Sequence, residues 1–152
     1  MFKKIISAFL VFGVLFVSIS AFAAADVIEI NGTAVNIPAE MGSIKEMDDR
    51  TFVPVRFLTE YLNCRVSYDD SFKLATIESD AAKCSYLIQE GSTILSIIPD
   101  KYEAAQHLQM DTAAFIDNDE ERMYVPIRFL AEAIGYKVGW DEATQTVTLD
   151  KQ

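Results

Sequence analysis

Two stretches of this chain, 72 residues apart, place apolar and polar side chains in the same order. Arg50-Thr-Phe-Val-Pro-Val-Arg-Phe-Leu-Thr-Glu60 is answered by Arg122-Met-Tyr-Val-Pro-Ile-Arg-Phe-Leu-Ala-Glu132. Further on, Arg65-Val66-Ser67-Tyr68-Asp69 is answered by Lys137-Val138-Gly139-Trp140-Asp141, and Ala75-Thr76-Ile77 by Val147-Thr148-Leu149. A match of this length marks an internal repeat.

In each copy a β-favouring pair, Phe52-Val53 or Tyr124-Val125, runs into a proline, Pro54 or Pro126. Proline suits the first position of a helix because it lacks the donor that would be orphaned there. Phe57, Leu58, Tyr61 and Leu62 then recur at helical spacing, as do Phe129, Leu130, Ala133 and Ile134, so these faces read as core. Asn63 and Gly135 follow the stripes, where a left-handed residue stops a helix after little more than two turns. Strands are expected at Cys64 to Tyr68 and Tyr136 to Trp140, then acidic turns at Asp69-Asp70 and Asp141-Glu142, then return strands near Leu74 to Ile77 and Thr146 to Leu149.

Ahead of the first copy, Val27 to Ile30 and Thr33 to Ile37 flank Asn31-Gly32, the strongest short hairpin signal. Lys83 to Gln89 and Thr93 to Ile98 flank Glu90-Gly91-Ser92 and read as another hairpin, and Lys101 to Gln106 reads as a helical turn. The expected fold is α+β: antiparallel β-hairpins packed on two short helices, with an internal duplication of a β-α-β-β motif at about 27–79 and 84–150. No Pro/Ser/Gly-rich linker parts the copies, so one domain with a single core is expected over 26–152.

The chain opens Met1-Phe2-Lys3-Lys4, continues through an apolar run from Ile5, and reaches Ala21-Phe22-Ala23-Ala24-Ala25. That basic, apolar, small-residue order is a secretory signal over 1–25. The run is long enough to span a bilayer, but the small-x-small pattern favours removal, with cleavage after Ala23 or after Ala25 both fitting. No cysteine lies near the cleavage region for lipoprotein acylation, and Leu149-Asp150-Lys151-Gln152 carries no sorting motif, so a secreted, extracellular protein with no membrane span after cleavage is expected. Lys plus Arg number 13 against 23 Asp plus Glu; without Lys3 and Lys4 the net charge goes from −10 to 11 − 23 = −12. Such a balance argues against nucleic acid as a partner and suits an extracellular surface.

The residues resemble a known family. Asn31-Gly32, the stretch Arg50 to Leu58, and the strand ending Tyr68-Asp69 are similar to the copper amine oxidase N-terminal-like domain, also called the stalk domain; Tyr124 to Gly135 with Val138 to Asp141 is closer still. The resemblance implies an antiparallel sheet wrapped against a helix, on an appendage away from the copper and quinone site. It also implies an exported surface protein of a Gram-positive bacterium, non-catalytic and associated with the cell wall. Two departures stand out: Phe115 to Glu121 lacks the Asn-Gly turn, and Asn63-Cys64 replaces a small pair.

Candidate chemistry is sparse. One histidine, His107, cannot furnish the imidazoles of a copper site, and with two cysteines it falls short of a four-ligand zinc set, so no metal and no cofactor is expected. Asp117-Asn118-Asp119-Glu120-Glu121 lacks the glycine and distal glutamate of a calcium loop and reads as a solvated turn, like Asp48-Asp49. Glu60 and Glu132 are symmetric carboxylates on the polar helix faces, with no sign of a cleft or raised pKa; no nucleophile elbow, phosphate loop or serine with a histidine partner appears. Catalytic residues are therefore none. Cys64 and Cys84 are read as a disulfide or as buried free thiols; a bridge would close a loop of about 20 residues and contribute about 3 kcal/mol.

Arg56 and Arg128 stand in the first helical turn, against the helix dipole, which calls for a specific partner. Either an acidic turn residue such as Asp69 or Asp141 supplies it, or these arginines with Tyr68 and Trp140 form a surface for a polyanionic or carbohydrate wall polymer. The functional expectation is a stalk-like module that binds or spaces at the cell envelope, its partner a cell-wall polymer or surface protein. The alternative is a secreted inhibitor or accessory subunit of an extracellular enzyme.

Overall fold

The computed structural model describes residues 27–101 and 103–152; the signal peptide read over 1–25 lies outside them. The first half contains β1 (Val27–Ile30), β2 (Thr33–Val35), a 3-10 turn (Ala39–Met41), β3 (Lys45–Met47), β4 (Arg50–Pro54), α1 (Val55–Tyr61), β5 (Arg65–Asp69) and β6 (Leu74–Ser79). Then come β7 (Cys84–Gln89), β8 (Ile94–Pro99), β9 (Gln106–Gln109), β10 (Phe115–Asp117), β11 (Arg122–Pro126), α2 (Ile127–Ile134), β12 (Tyr136–Asp141) and β13 (Thr146–Lys151). The chain is α+β, mostly strand with two short helices. Three sheets form, in the orders β12-β13-β1-β2, β10-β11-β4-β3 and β5-β6-β7-β8-β9.

Turn chemistry explains the hairpins. Asn31 and Gly32 both hold positive φ, 50° and 76°, as the tight turn between β1 and β2 requires. Asp48 and Asp49 do the same between β3 and β4 at 49° and 58°, aspartate being among the few side chains that accept this region. Pro54 and Pro126 end their strands with ψ of 130° and 117°, so each helix begins one residue later than the sequence suggests. Asn63 at φ 55° and Gly135 at φ 101° turn the chain out of the helices.

Phe57, Leu58 and Leu130 are fully buried, but Tyr61, read as core, is 40% exposed, with its ring 4.8 Å from that of Phe57. At the centre of the middle sheet β4 pairs antiparallel with β11: Val53 faces Val125, flanked by Phe52 with Pro126 and Pro54 with Tyr124. At the offset of 72, Phe52 corresponds to Tyr124 and Pro54 to Pro126, so this register is self-complementary.

The structure revises two further expectations. The Lys101 to Gln106 helical turn is not formed: residues 103–105 are irregular, and Gln106 opens β9, which adds to β8. The hairpins are antiparallel, but β1 pairs with β13 in parallel, from Val27 beside Thr146 to Ile30 beside Leu149. The Asn31 amide donates to the Leu149 carbonyl at 2.8 Å and its side-chain oxygen accepts from the Lys151 amide at 2.9 Å, clasping the two ends of the domain. The hairpin ahead of the first copy thus completes the sheet of the second, while β7 and β8 complete the sheet of the first.

Of the two states left open for Cys64 and Cys84, the structure has buried free thiols. Cys84 pairs with Ser79 of β6, and the β5 register, with Arg65 opposite Glu78, sets Cys64 on the other side of Ser79. With a strand between them their Cα atoms stand about 10 Å apart, beyond the roughly 7 Å that a disulfide can span.

Candidate functional site

The side chains of Arg56 and Arg128 leave the first turns of α1 and α2 toward solvent, because Phe57 and Leu58, and Leu130 and Ala131, take the buried sides. Neither guanidinium forms a hydrogen bond or ion pair among the described residues. The partners suggested by the sequence are engaged elsewhere. Asp69 Oδ1 accepts from the amides of Ser71 at 2.9 Å and Phe72 at 3.2 Å. Asp141 Oδ1 accepts from those of Ala143 at 2.9 Å and Thr144 at 3.2 Å. Each carboxylate closes its own turn, which is the common use of aspartate there; Arg128 lies within electrostatic reach of Asp111, which lines the same cleft.

Each arginine instead faces an aromatic ring across an open cleft. Arg56 and Tyr68 share a cleft of about 710 Å³, and Arg128 and Trp140 share one of about 300 Å³. The first is lined by residues 54–56, 66–68 and 121–123, the second by 126–128, 138–140 and 49–51. Tyr68 is 40% exposed at the cleft wall. Partial loss of water and the carboxylates of Asp70 and Glu90 push its phenol above the ordinary tyrosine range.

The cleft mouths differ. At the Arg128 cleft, Arg50 binds Asp111 at 2.6 Å, and this pairing holds the Asp111 carboxyl below the usual range. At the Arg56 cleft the corresponding Arg122 donates to the backbone carbonyl of Glu40, and Lys73 pairs with Glu90 at 2.7 Å. Sequence reasoning named Arg56, Tyr68, Arg128 and Trp140 but missed Asp49, Arg50, Glu121 and Arg122. The signal for these was present in the acidic-basic pairs 49–50 and 121–122, which recur at the same 72-residue offset.

The remaining candidates separate from the clefts. Glu60 and Glu132 are exposed on their helices and line neither cleft. His107 is not isolated: its Nδ1 lies 3.0 Å from Ser96 Oγ across β8 and β9, a contact the sequence did not reveal. That pair is on an exposed sheet face, outside both clefts. A lone imidazole so placed does not fit copper, and among the described residues no group of three or more metal-ligating side chains forms.

In the loop from Asp117 to Glu121, Asp117 Oδ1 accepts from the amides of Asp119 and Glu120, while Lys45 reaches Asp117 at 2.7 Å and Glu120 at 3.1 Å. Glu120 also accepts from the Tyr124 hydroxyl, above whose ring the Lys45 ammonium sits at 4.9 Å. These oxygens tie β3 to the far edge of the same sheet. The bonds to Lys45 and Tyr124 hold both carboxyls below their usual range.

The model of the copper amine oxidase N-terminal domain matches residues 16–77 and 29–149. The chain belongs to that family. In copper amine oxidases this N-terminal domain is a non-catalytic one. No curated protein and no solved structure matches the chain.

Proposed function

We propose that this copper amine oxidase N-terminal domain is an exported, non-catalytic module that binds a cell-wall polymer and spaces what it carries from the cell envelope. The observation that carries the reading is the pair of guanidiniums without a hydrogen bond or ion pair among the described residues, Arg56 and Arg128, each lining an open cleft with an aromatic ring. An unpaired guanidinium is a strong, planar donor for anionic groups. A domain with a net charge of −12 once the signal is removed (11 − 23) would repel a polyanion unless such groups met it locally. A duplicated β-α-β-β unit accounts for the presence of two clefts, and the signal read over 1–25 accounts for export.

Co-sedimentation with purified cell walls tests this. The protein pellets with walls at low salt, less so as salt rises, and an Arg56→Ala, Arg128→Ala double variant that keeps its circular dichroism spectrum stays in the supernatant. Wild-type protein left wholly in the supernatant would replace the polymer with a surface protein or an extracellular enzyme as partner.

A further inference from the structure

Both clefts are assembled from both halves of the chain. Residues 54–56 and 66–68 of the first copy meet 121–123 of the second; 126–128 and 138–140 of the second meet 49–51 of the first. These positions correspond one for one at the offset of 72. Such an exchange is what a local two-fold axis through the Val53 and Val125 pair produces.

Equivalent corners of the clefts carry equivalent chemistry. Each has a guanidinium without a hydrogen bond or ion pair among the described residues, Arg56 or Arg128, and an aromatic ring, Tyr68 or Trp140. Each also has a carboxylate, Glu121 or Asp49, the latter beside the Arg50 guanidinium. A sugar acid satisfies all three. Its carboxylate takes two parallel hydrogen bonds from the guanidinium, the apolar face of its ring lies on the aromatic, and its hydroxyls donate to the carboxylate. Both volumes fall in the range of about 300–1,000 Å³ usual for small-ligand sites.

We infer that the two clefts are equivalent subsites for carboxylated sugar units, and that the domain joins two glycan strands. This rests on the wall-binding reading and specifies it. The two-fold relation gives each cleft the same set of groups, so each accepts a strand of the same kind. With one strand in each cleft the domain acts as a bridge.

Calorimetric titration with trigalacturonic acid tests the inference, with dextran and polyphosphate as comparison ligands. The expected result is two sites per protein, one in each single variant, Arg56→Ala or Arg128→Ala, and none in the double variant. Long polygalacturonate is expected to grow into larger particles by light scattering with the wild type, and with neither single variant. One site per protein overturns the twin-site inference while leaving wall binding intact, whereas failure to pellet with walls overturns the underlying reading. Wall binding with no uptake of trigalacturonic acid, or equal competition by polyphosphate, overturns the sugar-acid class.

Discussion

Val53 and Val125 face each other across the central strands, both fully buried, each the counterpart of the other at the 72-residue offset. Val53→Ala and Val125→Ala are expected to cost similar amounts, roughly 2 kcal/mol each, from lost burial plus the cavity left behind. The double variant should depart from the sum by at least about 0.5 kcal/mol, because the two side chains share one environment. Urea denaturation of the four proteins checks this, and strongly unequal single costs would contradict the local two-fold relation.

Gly42 is held at φ 108°, and a Cβ there would lie 2.6 Å from the Tyr124 hydroxyl oxygen and 2.8 Å from Glu120 Oε2. Gly42→Ala should therefore lose about 2 kcal/mol or more through overpacking and backbone strain. Gly91→Ala is the control: φ is 73° but nothing lies within 4 Å, so only the strain, about 1 kcal/mol, applies. The difference between their denaturation midpoints measures the crowding alone.

The buried cysteines predict a thiol assay. Both remain unreactive to a polar alkylating reagent in the native protein and both react after unfolding, without reductant. Burial raises the Cys64 thiol above its usual range, which further slows attack. A mass two units short of the dithiol form would show a bridge and a rearranged β5-β6-β7 segment.

Stability should fall at both ends of the pH scale. Loss of water raises the pKa of Cys64, of Tyr86 and of Tyr124, so their contribution is complete below the unfolded values and is lost as pH rises through the folded ones. The alkaline decline thus starts near the free thiol value of about 8.5. Arg50 lowers Asp111, Lys45 lowers Asp117, Arg65 lowers Asp80 and Tyr124 lowers Glu120; these contributions are present above the ordinary carboxylate range of about 4 and vanish as pH falls through the depressed values. Midpoints from urea melts should be level between about pH 5 and 8. Replacing Lys45 by Met should lower the plateau and make the acid decline shallower, because part of the depression of Asp117 and Glu120 is lost.

What the sequence revealed depended on distance along the chain. Asn31-Gly32, the two proline-led helices and the stops at Asn63 and Gly135 were legible because their causes are local. The strand β9 was not: Gln106, His107 and Gln109 are polar, Leu108 alone is apolar, and an edge strand needs no inward-outward alternation to be held by its neighbour. The parallel pairing of β1 with β13 joins segments at opposite ends of the chain, beyond any local pattern. For the clefts, Arg56 and Tyr68 could be associated within one repeat, but their third wall comes from residues 121–123 of the other. The spacing of Cys64 and Cys84 suited a bridge until β6 was seen to run between them.

The parallel clasp of β1 and β13 also has a mechanical meaning. Val27 enters at one end of this ribbon and the chain leaves past Lys151 at the other. A load applied through the two termini pulls the strands along their length in opposite directions, so their hydrogen bonds bear it together rather than parting one after another. Tension drawn through the domain meets its stiffest element first.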